Sequence, residues 1–235
     1  MPVSTYVLIP GAGGAAWYWH RVVPLLNAAG RTAVAVDLPG ANPHAGLREY
    51  ERIVTAAAAG ADEITLVAQS MGAFTALGVV ERLPVERLLL LNAMIPAPGE
   101  TPGAWWDNTG HEFPADFDQR RHFLHDVPED VAAAGAAHQR PEADIAFAQP
   151  AGFERWPDVP TTVLAGREDR FFPYAFQARV AYERLGLDVV PVPGGHLAAL
   201  SQPEAIVAAF CDQAGGVSAH AASGVVTRKL KLSSR

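Results

Sequence analysis

The stretch Ala68-Gln69-Ser70-Met71-Gly72 lies between an apolar run at 63–67 that reads as a strand and an apolar run at 73–83 that reads as a helix. A serine on so sharp a strand-to-helix turn projects Oγ at the carboxyl edge of a sheet. It also leaves the next backbone N–H free to bind an oxyanion. The turn is crowded, and Ala68 and Gly72 supply small neighbours two residues to either side. Taken alone, a serine before Met-Gly is also an ordinary helix N-cap, so its meaning depends on what surrounds it.

Outward from that turn, strand-like and helix-like runs alternate. Strands are expected at 5–9, 32–36, 64–67, 88–91, 161–164 and 188–192, and helices at 17–29, 47–59, 70–83, 174–185 and 203–213. Most of the strand runs are continuous Val, Ile and Leu, as in strands buried on both faces. The pattern predicts an α/β fold with a mainly parallel six-stranded sheet flanked by helices. Gly30 suits a helix stop and Pro203 a first helical turn.

The alternation fails between 94 and 157, a stretch rich in Pro, Gly, Asp and His. It holds helix-like pieces at 118–126 and 129–138 and the aromatics Trp105, Trp106, Phe113, Phe117, Phe123, Phe147, Phe153 and Trp156. Inserted between strands expected to be neighbours, it reads as a small helical lid (94–157) on a core made of 1–93 and 158–213. Its aromatics suit a greasy acyl or aryl pocket, and they equally suit docking of the lid on the sheet. Trp105, Trp106, Phe123 and Phe147 are the candidate pocket residues. The segment 214–235 is Gly/Ala/Ser-rich, with Arg228, Lys229, Lys231 and Arg235 and no acid. It reads as a flexible terminus or an appended extension.

Composition narrows the function. The 235 residues are 49% hydrophobic, enough for a large core, and the formal net charge is −7. No basic stripe exists to neutralise phosphates, so nucleic acid is not an expected partner. The one cysteine, Cys211, leaves no intramolecular disulfide and fits a reducing cytosol. No secretory leader and no bilayer-spanning apolar run is read, so the expected location is cytoplasmic and the expected partner is a small-molecule substrate. Oligomeric state is open. The glycines of Gly11-Ala12-Gly13-Gly14 lack the G-K-[ST] ending of a phosphate loop and do not form G-x-G-x-x-G. His122 and His125 are three apart without a third ligand. No metal and no cofactor are expected.

The turn at Ser70 resembles the nucleophile elbow of the α/β-hydrolases. Further likeness lies in Gly11-Ala-Gly-Gly-Ala-Ala-Trp17-Tyr-Trp19-His20, in Pro24-Leu-Leu and in Ala35-Val-Asp37-Leu-Pro-Gly40. These are similar to the branch that includes methyl-ester esterases and hydroxynitrile lyases, and the resemblance extends to about residue 213. It implies a triad in the order Ser, acid, His. Gly166-Arg-Glu-Asp169-Arg-Phe-Phe-Pro173 looks like the family's acid loop, and Pro193-Gly-Gly-His196 would supply the base. Glu168 is the rival acid, but Asp169 fits the spacing better. All three residues follow expected strands at one sheet edge, where open α/β sheets bind ligands.

The implied roles are nucleophile for Ser70, general base and acid for His196, and orienting carboxylate for Asp169. The backbone N–H groups of Ala12 and Met71 would form the oxyanion hole, with Gly11 and Trp17 near the pocket. Relatives often carry His where Pro10 stands, and that departure bears on loop geometry. Cyanohydrin-cleaving relatives have Lys after the catalytic His and Thr at the position of Gly11. This chain has Leu197 and Gly11, which favours hydrolysis. The expected function is a serine hydrolase acting on a small hydrophobic carboxylic ester through an acyl-enzyme. The alternatives are a cofactor-free lyase or C–C hydrolase, and a noncatalytic small-molecule receptor.

Overall fold

The computed structural model describes residues 4–215. The elements follow in chain order. The first β–α–β stretch is β1 (Thr5–Ile9), α1 (Val22–Ala28) and β2 (Thr32–Ala35). Next come α2 (Leu47–Ala57), β3 (Ile64–Gln69), α3 (Gly72–Val79) and β4 (Val85–Leu91). After β4 stand four short helices, α4 (Pro102–Thr109), α5 (Gln119–His122), α6 (Glu129–Gly135) and α7 (Asp144–Ala148). The chain closes with β5 (Thr161–Gly166), α8 (Tyr174–Leu185), β6 (Val190–Val192), α9 (Ala198–Ser201) and α10 (Pro203–Gly215). The segment expected to be a terminal tail lies, beyond residue 215, outside the described residues. No helix among those described is long and apolar enough to cross a membrane.

The six strands form one sheet in the order β2-β1-β3-β4-β5-β6, and every pairing is parallel. Side chains alternate across it. Val7, Ile9, Leu66, Ala68, Leu88 and Leu90 enter the core shared with α2, α3 and α8. Tyr6, Leu8, Val67, Leu89 and Leu91 enter the opposite core, shared with α1 and α10. This double burial explains why the strands read as unbroken apolar runs. Every residue of α3 is buried, which accounts for its lack of a polar face.

Several elements differ from the sequence expectation, among them the helix expected over 118–126, which spans only Gln119–His122, and two differ for identifiable reasons. The helix expected over 17–29 is a 3-10 turn, Ala16–Trp19, followed by α1. A continuous helix would require Pro24 to donate to the carbonyl of residue 20, and proline has no N–H. In the actual structure Pro24 falls in the first turn of α1, where no donor is needed. The second difference is α4, which forms within a stretch whose composition suggested loop. Its ends are well signalled: the Thr101 hydroxyl accepts from the Ala104 N–H at 3.1 Å, Pro102 opens the helix, and Gly110 closes it at φ 64°.

Candidate active site

Ser70 occupies the turn between β3 and α3 with φ 51°, in the left-handed region that a non-glycine residue adopts only under local constraint. The constraint is visible in the backbone: the Ser70 N–H donates to the Leu91 carbonyl at 3.2 Å, and the Ser70 carbonyl accepts from Met94 at 3.1 Å and Ala73 at 3.3 Å. A side chain at position 72 would collide with the Pro10 carbonyl oxygen. Glycine there lets the loop after β1 sit directly against the turn.

Three side chains from distant loops meet at this point. His196 Nε2 lies 3.2 Å from Ser70 Oγ, and His196 Nδ1 lies 2.9 Å from Asp169 Oδ2. All three residues are buried. The Asp169 carboxylate also accepts from the Phe171 and Phe172 N–H groups, each at 2.8 Å, and from Gln177 Nε2 at 3.2 Å. An ionised carboxylate only accepts, so His196 Nδ1 carries the proton and Nε2 is left as acceptor toward Ser70. The imidazole is enclosed by aromatic rings: Phe123 stacks on it at 5.0 Å, while Phe171 and Phe172 meet it edgewise at 5.1 and 5.0 Å. Glu168, the rival acid, instead accepts the Gly194 N–H at 2.6 Å.

The loop after β1 is a turn closed by a bond from the Gly14 N–H to the Gly11 carbonyl at 3.0 Å. Gly13 sits at its third position with φ 83°, as a type II turn requires. Neither the Ala12 nor the Met71 N–H donates to any acceptor among the described residues. Met71 immediately precedes α3, so its N–H lies at the positive end of that helix.

Beside this centre is a cavity of about 570 Å³. The loop residues Gly11 and Ala12 line it, together with Trp17, Phe123, Leu124, Val131, Leu197 and Leu200, and its polar side holds Gln69, Arg140 and Glu142. Of the pocket residues expected from sequence, Gly11, Trp17 and Phe123 line the cavity, and Trp105, Trp106 and Phe147 do not. Trp105 is fully buried, packs on Phe172 and Phe176, and donates from Nε1 to the Ile95 carbonyl at 3.0 Å. Trp106 packs against His111 and Phe171. The Phe147 carbonyl lies beside Gly103 of α4, and its side chain packs against the core shared with α2, α3 and α8. These three rings fasten the insertion to itself and to the core. His122 and His125 diverge: His122 faces Asp118, while His125 lies against Gly195.

Two residues that the sequence did not single out help to build the site. Asn92, fully buried with φ 45°, accepts the Gly166 N–H at 2.7 Å and donates to the Gly195 and His196 carbonyls at 2.9 and 3.1 Å. It ties the ends of β4 and β5 to the loop carrying His196. The Gln69 amide lies 3.3 Å from both His196 Nε2 and the His196 carbonyl. The available signal was the same for both: a polar residue closing the apolar run at the carboxyl end of a strand.

A profile of the Alpha/beta hydrolase family matches residues 6–209, and the chain belongs to that family. It is 36% identical over 110 residues to a probable esterase of Oryza sativa subsp. indica, a match spanning 42% of each chain. The aligned part is thus under half of that relative's length. It is 27% identical over 246 residues to a pyrethroid hydrolase of Sphingobium wenxiniae, covering 90% of this chain and 88% of the relative. The crystal structure of a pyrethroid hydrolase from Sphingobium faniae superposes with a TM-score of 0.76 at 24% identity, covering 92% of this chain and 98% of that one. The last of these likenesses bears on the fold alone.

Proposed function

We propose that the protein is a serine hydrolase that cleaves uncharged, hydrophobic carboxylic esters through an acyl-enzyme. The observation that carries this reading is the hydrogen-bonded chain Ser70–His196–Asp169 together with the Ala12 and Met71 amides, which have no acceptor among the described residues. His196 would take the Ser70 proton as Oγ attacks the ester carbonyl, then return it to the leaving alcohol. Asp169 would fix the imidazole tautomer and stabilise the imidazolium. The Ala12 and Met71 N–H groups would receive the negative charge that develops on the carbonyl oxygen, each worth about 3 kcal/mol in the transition state. Water, activated by the same imidazole, would then release the acid.

The apolar lining around Trp17, Phe123, Leu197 and Leu200 supports a hydrophobic acyl or alcohol group. The insertion between β4 and β5 would act as the lid, since Phe123, Val131 and Glu142 from it wall the cavity. The protein is assigned to the cytosol, which its single cysteine favours.

Hydrolysis of short p-nitrophenyl esters by wild type and Ser70→Ala tests the proposal. Turnover is expected to fall by about 10⁵–10⁶ in the variant, and a fluorophosphonate is expected to label Ser70 alone. Equal slow rates in the two proteins would reject it.

A further inference from the structure

Gly13, in the turn that presents the Ala12 N–H, is gripped on both sides by the insertion. Its N–H donates to Glu142 Oε2 at 2.7 Å, and its carbonyl accepts from Arg140 Nε at 3.0 Å. Each gripping residue is anchored in turn. Glu142 Oε1 accepts from the Tyr50 hydroxyl of α2 at 2.5 Å. Arg140 makes a two-pronged pair with Asp37 at 2.8 and 3.0 Å, and Asp37 Oδ1 accepts the Ala16 N–H at 2.9 Å, two residues beyond the turn. The insertion also bonds directly to the core next door, from the Ala143 N–H to the Gly40 carbonyl at 2.8 Å. The two successive peptides flanking Gly13 are therefore each held by a separate side chain.

We infer that Arg140 and Glu142 are positioning residues for the oxyanion hole: by fixing both peptides of Gly13 they aim the Ala12 N–H at the developing alkoxide. The inference rests on the esterase reading above. Its physical basis is that a Gly-rich turn has many accessible conformations, and an oxyanion donor is useful only if it is fixed before charge develops. Glu142 takes up the Gly13 N–H. The charge on this carboxylate is moderated locally. Burial raises its pKa above the ordinary value, and the Tyr50 hydroxyl, the Gly13 N–H and the Arg140 guanidinium offset this only in part by stabilising the anion. Burial together with Glu142 pushes the Tyr50 pKa up, so its hydroxyl stays protonated and available as donor.

The distinguishing probe is a matched pair of substrates, an aryl oxoester and the corresponding thionoester. The thionoester intermediate places its charge on sulfur, a weak hydrogen-bond acceptor, so it gains little from a well-aimed N–H. Glu142→Ala is expected to lower kcat for the oxoester by about 10- to 100-fold, a partial loss of one oxyanion donor. KM should move far less, and the oxoester-to-thionoester rate ratio should collapse. Glu142→Gln keeps an acceptor for Gly13 and is expected to restore the ratio. Arg140→Ala, at a part-exposed side chain, is expected to shift the ratio the same way by a smaller factor, and it decides the matter should Glu142→Ala fail to fold. An unchanged ratio in folded Glu142→Ala, or in Arg140→Ala, would overturn the inference. Ser70→Ala, run alongside, separates the two readings: residual wild-type turnover there would remove the esterase reading itself, whereas an inert Ser70→Ala beside an unaltered ratio removes only the role of Arg140 and Glu142.

Discussion

Asn92 joins three loops with one side-chain amide, bonding the Gly166 N–H and the carbonyls of Gly195 and His196 while its own backbone sits at φ 45°. Removing a buried amide that bonds three backbone groups leaves the Gly166 N–H and the Gly195 carbonyl without that partner and the His196 carbonyl held only by Gln69, each lost bond costing about 1 kcal/mol or more. Asn92→Ala is therefore expected to lower stability by about 3 kcal/mol, read as a drop in the chemical-denaturation midpoint at unchanged slope. A loss below about 1 kcal/mol would mean that water replaces the amide. Turnover should fall as well, because the His196 carbonyl loses one of its anchors. The identity of Asn92 was visible in the sequence, but its role was not. Only folding brings the end of β4 within reach of a loop 103 residues later.

At the scale of elements, the root of the insertion is pinned to α8 by Glu100. Its carboxylate accepts from Arg184 at 2.5 and 2.9 Å, from Asn108 at 2.8 Å and from the Ala97 N–H at 3.0 Å. Burial alone would raise its pKa, but these donors outweigh it and hold it below the ordinary value of 4.5. A carboxyl depressed in the folded state binds its proton more readily when unfolded. It therefore adds stability above the ordinary pKa and loses that contribution as pH falls through the folded value. Glu100→Gln is expected to be about 2 kcal/mol less stable than wild type at neutral pH, from the lost charge-assisted bonds. The gap should narrow below pH 4.5, where wild type protonates. Thermal melts of both proteins across that range check the prediction, and a gap independent of pH would refute it. The capping signals of α4 were legible at Thr101, Pro102 and Gly110. They were obscured by a composition that resembles loop, because a short helix fastened by Trp105 needs little intrinsic propensity.

At the scale of the whole molecule, a net charge of −7 surrounds a mostly apolar cavity whose wall holds both the Arg140 guanidinium and the Glu142 carboxylate, so the field at its mouth is set by the overall charge. An uncharged ester feels little of that field, whereas an ester carrying its own carboxylate is repelled until salt screens the interaction, with a Debye length of about 10 Å at 0.1 M. Raising NaCl from about 50 to about 500 mM is expected to change kcat/KM by less than about twofold for a neutral ester and to raise it several-fold for an acidic one. Identical salt profiles for the two would show that the site does not sense the overall charge.

The sequence by itself determined the alternation of strands and helices, the crowded turn at Ser70 and the three strand ends that carry Ser70, Asp169 and His196. Local periodicity and turn chemistry act over a few residues and need no partner to be read. Tertiary structure alone decided which aromatics face the cavity, seating Phe123 over His196 and burying Trp105 in the core. It alone brought Arg140 and Glu142 to Gly13 across more than a hundred residues. Pocket walls and long-range hydrogen bonds depend on how separate segments pack, and the residue types alone do not encode that distance or direction.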